Sequence, residues 1–236
     1  MRLPMPQCLS RPVAQAAALW LRRLVVAASV VLLLAGTASR AWDRDRMTAA
    51  AQRTGARAAA AAQALQALLA EAPANDEPAL LAAVNDFFNR RVVFIDDAAV
   101  WGQDDYWASP LEMLEKGRGD CEDYAIAKYF SLLGAGVPMA RLRLVYVRAA
   151  IGGPGGAVQA HMVLAWYAQP GAEPLILDNL IGEVRPASRR PDLTPVFSFN
   201  GEGLWQGAAG AAAGDPTARL SRWREVLAKA RAEGFQ

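Results

Sequence analysis

The chain has 236 residues, 53% of them hydrophobic, and a formal net charge of +2, which is enough for one good-sized core or two small ones. Residues 1–41 carry five arginines and no acid, leaving 20 basic and 23 acidic residues, net −3, in the remainder. The basic character therefore belongs to the leading segment, and the rest lacks the electrostatic footprint of a nucleic-acid binder. In that leader, Arg22 and Arg23 precede the apolar run Leu24–Gly36, and the small residues Thr37, Ala38, Ser39 and Ala41 follow it. This reads as an export signal cleaved after Ala38 or Ala41, giving a periplasmic protein. The run is short of the roughly 20 residues a membrane span needs. An uncleaved membrane anchor is the alternative. Residues 42–236 then form a single domain. Cys8 precedes the apolar run and lacks a lipoprotein-like setting, so the mature chain keeps one cysteine, Cys121. That excludes a disulfide scaffold, and one cysteine with one histidine argues against zinc.

Residues 47–72 are rich in alanine, with Leu65, Leu68 and Leu69, and predict a helix. Asn75, Asp76 and Pro78 start a second, in which Leu80, Leu81, Val84, Phe87 and Phe88 recur at helical spacing. Arg91 to Ile95 reads as a short strand or the end of that helix. A loop dense in aromatics and acids follows, from Trp101 through Asp104, Asp105 and Tyr106 to Trp107; it suits either a substrate groove or the core. Ser109-Pro110-Leu111-Glu112 is a capping box with proline at the first helical position. Gly117 closes that helix. Asp120 is then an N-cap with Asp123 three residues on, so Cys121 falls in the first turn of a new helix ending at Gly134 or Gly136. Beyond it the period changes to two. Strands are expected over Arg141–Ala149, His161–Ala168 and Pro174–Leu180, with Pro195–Asn200 a fourth, and short connections suit an antiparallel meander. Residues 206–214 read as a Gly/Ala linker. Asp215 and Pro216 start a last helix with Leu220, Trp223, Val226, Leu227 and Ala230 on one face. Helices followed by an antiparallel sheet make an α+β pattern.

Three residues carry the chemistry. Cys121 opens a helix, where unpaired N–H groups and the helix dipole favour a thiolate; a small buried core cysteine is the plain alternative. His161, the single histidine, begins a strand, and Asp178 ends the next. Adjacent strands would set His161 beside Asp178, and a helix packed on that sheet would bring Cys121 to the imidazole. The imidazole would take the thiol proton and return it to the leaving amine, while the carboxylate fixes its tautomer.

On these residues the chain resembles the transglutaminase-like, papain-related cysteine hydrolases, and within them the bacterial transglutaminase-like cysteine proteinases that act as periplasmic adhesin proteases. The resembling text is Asp105–Pro110, Gly119–Phe130, Leu142–Val147, Ala160–Leu164 and Leu177–Leu180, within residues 75 to 205. The resemblance implies a papain-like fold with Cys121, His161 and Asp178 as catalytic triad. It implies calcium at the acids flanking the nucleophile, Asp120 and Glu122. It also implies that the substrate is the N-terminal region of a large adhesin protein, cut at a double-alanine site to disperse biofilm. The regulator it implies is the periplasmic domain of an inner-membrane cyclic di-GMP receptor.

The acids pose a physical question of their own. Asp120, Glu122 and Asp123 crowd Cys121 with negative charge, and like charges oppose a thiolate. A bound cation would remove that penalty, and carboxylates with loop carbonyls suit calcium. Asp123 or Asp105 could add a ligand. The alternative is that Asp120 and Asp123 only cap the helix while Glu122 is solvated. Two functional rivals stay open: transglutaminase or amidase acyl transfer from the same triad, and a non-catalytic periplasmic binding module.

Overall fold

The computed structural model describes residues 42–72, 76–153 and 155–235. The leader lies outside them, and so does the choice between signal and anchor. The chain opens with helices α1 (Arg44–Thr54), α2 (Ala56–Glu71) and α3 (Glu77–Arg91). The single helix expected over 47–72 is two, broken at Gly55. The Glu115 carboxylate occupies the space a Cβ at residue 55 would need, and it accepts a hydrogen bond from the Ala58 N–H at 2.8 Å. At the start of α3, Asp76 caps through the Ala79 N–H at 3.0 Å and Pro78 sits in the first turn. Helix and strand are both present after it: α3 ends at Arg91, and β1 (Val93–Phe94) follows.

Short helix α4 (Asp97–Val100) precedes the aromatic loop, and α5 (Pro110–Lys116) follows it. The Ser109–Glu112 capping box forms with both of its reciprocal bonds. Gly117 ends α5 in the left-handed region, φ 59°. Strand β2 (Arg118–Gly119) pairs parallel with β1 and leads into α6 (Cys121–Gly134). Helix α6 is buried on every side from Asp123 to Leu133, so it is the central helix of the fold.

The remaining strands are β3 (Leu142–Ile151), β4 (Ala157–Trp166), β5 (Leu175–Leu177), β6 (Arg185–Pro186), β7 (Leu193–Phe199), β8 (Leu204–Gln206) and β9 (Ala212–Gly214). They form one antiparallel sheet in the order β6-β5-β4-β3-β7-β8-β9. The expected strand near residue 195 exists but does not extend the meander at its end. As β7 it returns to the far side of β3, making β3 and β4 the centre. The expected linker 206–214 contains β9, which pairs with β8; main-chain pairing needs no side-chain pattern, so alanine and glycine gave no sign of it. The last helix is split at Leu220 into α7 (Pro216–Arg219) and α8 (Ser221–Ala232).

The main core lies between the helices and one face of the sheet. Trp223 of α8 packs on Tyr129 and Phe130 of α6 and on Phe199 of β7, with ring centroids 5.2–5.8 Å apart. Full burial of one such aromatic side chain stabilises the fold by about 3 kcal/mol. The opposite sheet face is covered by a smaller cluster of Val145, Val147, Ala149, Val163, Ala165, Tyr167 and Ile176. This is an α+β fold. Among the described residues no helix is long and apolar enough to cross a membrane.

Candidate active site

Helix α6 starts where two backbone ladders place it. The Val93 and Ile95 N–H groups donate to the carbonyls of Gly117 and Gly119, at 3.0 and 3.1 Å. This sets residues 95–97 alongside residues 119–121. Gly119 has no room for a side chain, because the Asp123 side chain fills the space. The Cys121 thiol donates to the Glu122 carboxylate at 3.1 Å. Burial first, then the negative charges of Glu122 and Asp120, push the Cys121 thiol up from its ordinary value. In this arrangement the thiol keeps its proton at neutral pH.

On the neighbouring strands His161 and Asp178 are both buried. His161 Nε2 lies 2.8 Å from Asp178 Oδ1, as adjacent strands predict. Asp178 is held from several directions. Its Oδ2 accepts from Arg190 Nη2 at 2.7 Å, Oδ1 accepts from the Leu180 N–H at 3.1 Å, and its carbonyl accepts from the Asn89 amide at 2.8 Å. Burial alone would raise its carboxyl, but the His161 ring, the Leu180 N–H and Arg190 outweigh that and hold it at about 2. Arg190 also grips Asp192. Behind this group sits Lys128 of α6, fully buried, its ammonium without a hydrogen-bond partner among the described residues. Burial pushes Lys128 down to about 7, against the pull of Asp178 and Asp86.

The acids divide. Asp97, Asp120 and Glu122 each offer an oxygen, all within 4.8 Å of one another. Asp97 Oδ1 and Asp120 Oδ1 are buried without a partner among the described residues. Asp97 is raised to about 6 by burial, partly offset by the Tyr106 N–H bonded to it. Asp120 is raised to about 10 by burial and then by the charges of Glu122 and Asp123. Asp120 makes no side-chain cap on α6, so the capping role expected of it is corrected. Its backbone geometry is extended, as an N-cap requires, but its carboxylate sits in the acid group. Asp123 is not in that group: its Oδ1 accepts from the Ala108 N–H at 2.7 Å, pinning the aromatic loop. Asp105 is not in it either, since it accepts from the Trp107 indole at 2.9 Å and pairs with Arg222 at 2.7 Å. The residue missing from the sequence reading is Asp97. An all-carboxylate donor set, with orphaned buried oxygens, fits a hard cation such as calcium and not a soft one.

Cys121, His161, Asp120 and Glu122 line one cleft of about 720 Å³, walled by Phe94, Trp107, Tyr146 and Leu180 among others. The aromatic loop is divided: Trp107 walls this cleft, while Trp101 packs on Tyr106 at 4.4 Å against the core.

Residues 56–192 match the family model of the bacterial transglutaminase-like cysteine proteinases. Among solved structures the chain is similar to Legionella pneumophila LapG at 37% identity, TM-score 0.67, covering 80% of this chain and 96% of that one. It is equally similar to that protein treated with EGTA (37%, TM-score 0.69, 80% and 97%) and in its calcium-bound form (37%, TM-score 0.67, 79% and 98%). No curated protein sequence matches. The family model spans more than half of the chain, and the fold agrees: this chain belongs to the bacterial transglutaminase-like cysteine proteinases.

Proposed function

We propose that the protein is an exported, calcium-dependent cysteine endopeptidase with Cys121 as nucleophile, His161 as general base and acid, and Asp178 as the group that orients the imidazole. The observation that carries the reading is the buried His161–Asp178 pair, whose histidine lines the same cleft as a cysteine at a helix start. Asp178 engages Nε2, which leaves Nδ1 as the nitrogen to take the thiol proton. The thiolate attacks the scissile carbonyl carbon; the C–N bond breaks as the imidazolium returns that proton to the leaving amine. Water then attacks the thioester with His161 again as base, releasing the acid and restoring the thiol. Arg190 and the Leu180 N–H keep Asp178 ionised, so it holds the ring and steadies the imidazolium.

Asp97, Asp120 and Glu122 would hold the calcium ion. When bound, it would supply positive charge that offsets the carboxylate field opposing a thiolate at Cys121. Kinship with a protein that has been solved in calcium-bound form supports this ligand.

We further propose, from kinship with LapG, that the substrate is the N-terminal region of a large surface adhesin with a pair of alanines at the cut, whose release disperses biofilm. The periplasmic domain of a cyclic di-GMP receptor is the proposed regulator, and the Arg22–Gly36 leader the export signal. Incubating the mature protein with such an adhesin region, with and without chelator, tests this. Cleavage should occur beside the small-residue pair, stop on chelation, and be absent with Cys121→Ala. Product masses separate hydrolysis, which adds water, from acyl transfer, which adds an amine. A substrate that survives intact, or an adduct carrying the amine, would overturn the peptidase reading.

A further inference from the structure

Strand β4 pairs with β3 along its whole length, Ala157 to Trp166, but with β5 only over Leu164–Trp166. The parity of the ladder says where the rest of β4 directs its main chain. Just beyond β4 the Tyr167 N–H donates to the Arg141 carbonyl at the foot of β3, so odd-numbered residues face β3 and even-numbered ones face away. Val158 and Ala160 therefore point their N–H and C=O groups outward where β5 has already ended. No described residue bonds them there. The chain after β5 is drawn off onto α3, where the Asn89 and Asn85 amides hold the carbonyls of Asp178 and Gly182 at 2.8 Å each.

Open edges are normally guarded by charge, proline or extreme shortness. The outer strand β6 is guarded in this way by Arg185 and Pro186. The open length of β4, Ala157-Val158-Gln159-Ala160, has neither, and it is exposed throughout, with Val158 at 64%. It also runs straight into the reacting groups. Gln159 and Ala160 line the same cleft as Cys121, and His161 and Met162 are the next two residues.

We propose that this edge is the docking rail of the enzyme: an extended polypeptide substrate adds to β4 as a short strand, bonded by the main chain of Ala160 and Val158. The rail carries its scissile carbonyl to Cys121. The inference rests on the cysteine-peptidase reading of this cleft. Main-chain pairing supplies affinity without reading side chains, and it admits only an unfolded or extended segment. Every second side chain of such a segment would meet the apolar wall of Phe94, Trp107, Tyr146 and Leu180.

The test uses two alkylating probes on the full mature chain. Acetyl-penta-alanyl chloromethyl ketone carries a peptide main chain, and iodoacetamide does not. Proline at 158 or 160 removes an outward donor and leaves the ladder to β3 intact. Val158→Pro and Ala160→Pro should each slow Cys121 alkylation by the peptidyl probe up to about tenfold. Val158→Pro should leave the iodoacetamide rate unchanged. As a measurement that does not depend on a variant folding, main-chain N-methylation of the peptidyl probe should slow its reaction with the unaltered protein to a similar degree. Unchanged peptidyl rates in Val158→Pro, or with the N-methylated probe, would overturn the rail. So would a homodimer in sedimentation that Val158→Pro dissolves while the peptidyl rate stays the same, since the edge would then belong to a second copy. An iodoacetamide rate indifferent to His161→Ala would instead count against the peptidase reading itself.

Discussion

The two sides of the cleft are opposites in electrostatic completeness. On one, Asp178 is buried with a histidine, an arginine and a backbone N–H, and its carboxyl is held at about 2. On the other, Asp97 and Asp120 are raised to about 6 and about 10 by burial first and then by neighbouring carboxylates, Glu122 foremost. Burial acts on a charge in two ways: a paired charge is held fixed, and an unpaired one demands a counter-ion or a proton. The first side can hold an imidazole ready without help. The second sets a negative field beside Cys121 that opposes a thiolate there.

The largest effects should come from breaking the complete side. Asp178→Asn should lower kcat about 10³–10⁴-fold while the protein stays folded, because the imidazole loses its tautomer and its counter-charge; steady-state kinetics with circular dichroism checks both. Arg190→Met leaves the Asp178 carboxylate one cation short in a buried place, and should destabilise the fold by about 3 kcal/mol in denaturant titration.

The incomplete side predicts the reverse sign. Asp120→Asn should raise the melting temperature of the chelator-treated protein at neutral pH, by about 1 kcal/mol in stability, because the fold no longer has to keep a carboxyl protonated far above its ordinary value. The same change should abolish the calcium isotherm in calorimetry. In the unaltered protein, calcium at a hundredfold excess over its Kd should add about 2.7 kcal/mol.

Lys128 is a third case, a buried ammonium without a hydrogen-bond partner among the described residues, set over the Tyr124 ring at 5.5 Å. Its folded value of about 7 lies below the ordinary lysine value, so between about 7 and 10.5 the unfolded chain binds more protons at this site. Its contribution to stability therefore rises with pH across that window and is unfavourable below it. Lys128→Met should stabilise the protein at pH 6 by about 1–2 kcal/mol, and the gain should shrink toward pH 10 in parallel melts. The smallest effect belongs to Asp105, whose pair with Arg222 is largely exposed. Asp105→Ala should change stability by less than about 0.5 kcal/mol and leave calcium affinity unaltered.

What the sequence disclosed follows from which signals are local. The Ser109–Glu112 box, the Leu80–Phe88 stripe and the alternation in β3 are written in neighbouring residues, and each forms where expected. His161 and Asp178 were legible because short strands in an antiparallel order leave few places to put them. Asp97 was not, because it joins Asp120 only through the parallel pairing of two-residue strands, with the Ile95 N–H on the Gly119 carbonyl. Nothing near Arg190 marks it, among many arginines, as the one that reaches Asp178. The same limit hid β7 beside β3 and the break at Gly55, both set by distant contacts.

In the proposed function both sides of the cleft act on one sulfur: His161 makes the Cys121 thiolate, and a cation at Asp97, Asp120 and Glu122 permits it. The most direct measurement is the rate of iodoacetamide modification at Cys121, followed by peptide mass mapping at neutral pH. The unaltered protein with calcium should label fast at Cys121. Chelation should slow it at least about tenfold, and His161→Ala should slow it similarly even with calcium. Equal rates in all three conditions would contradict the account.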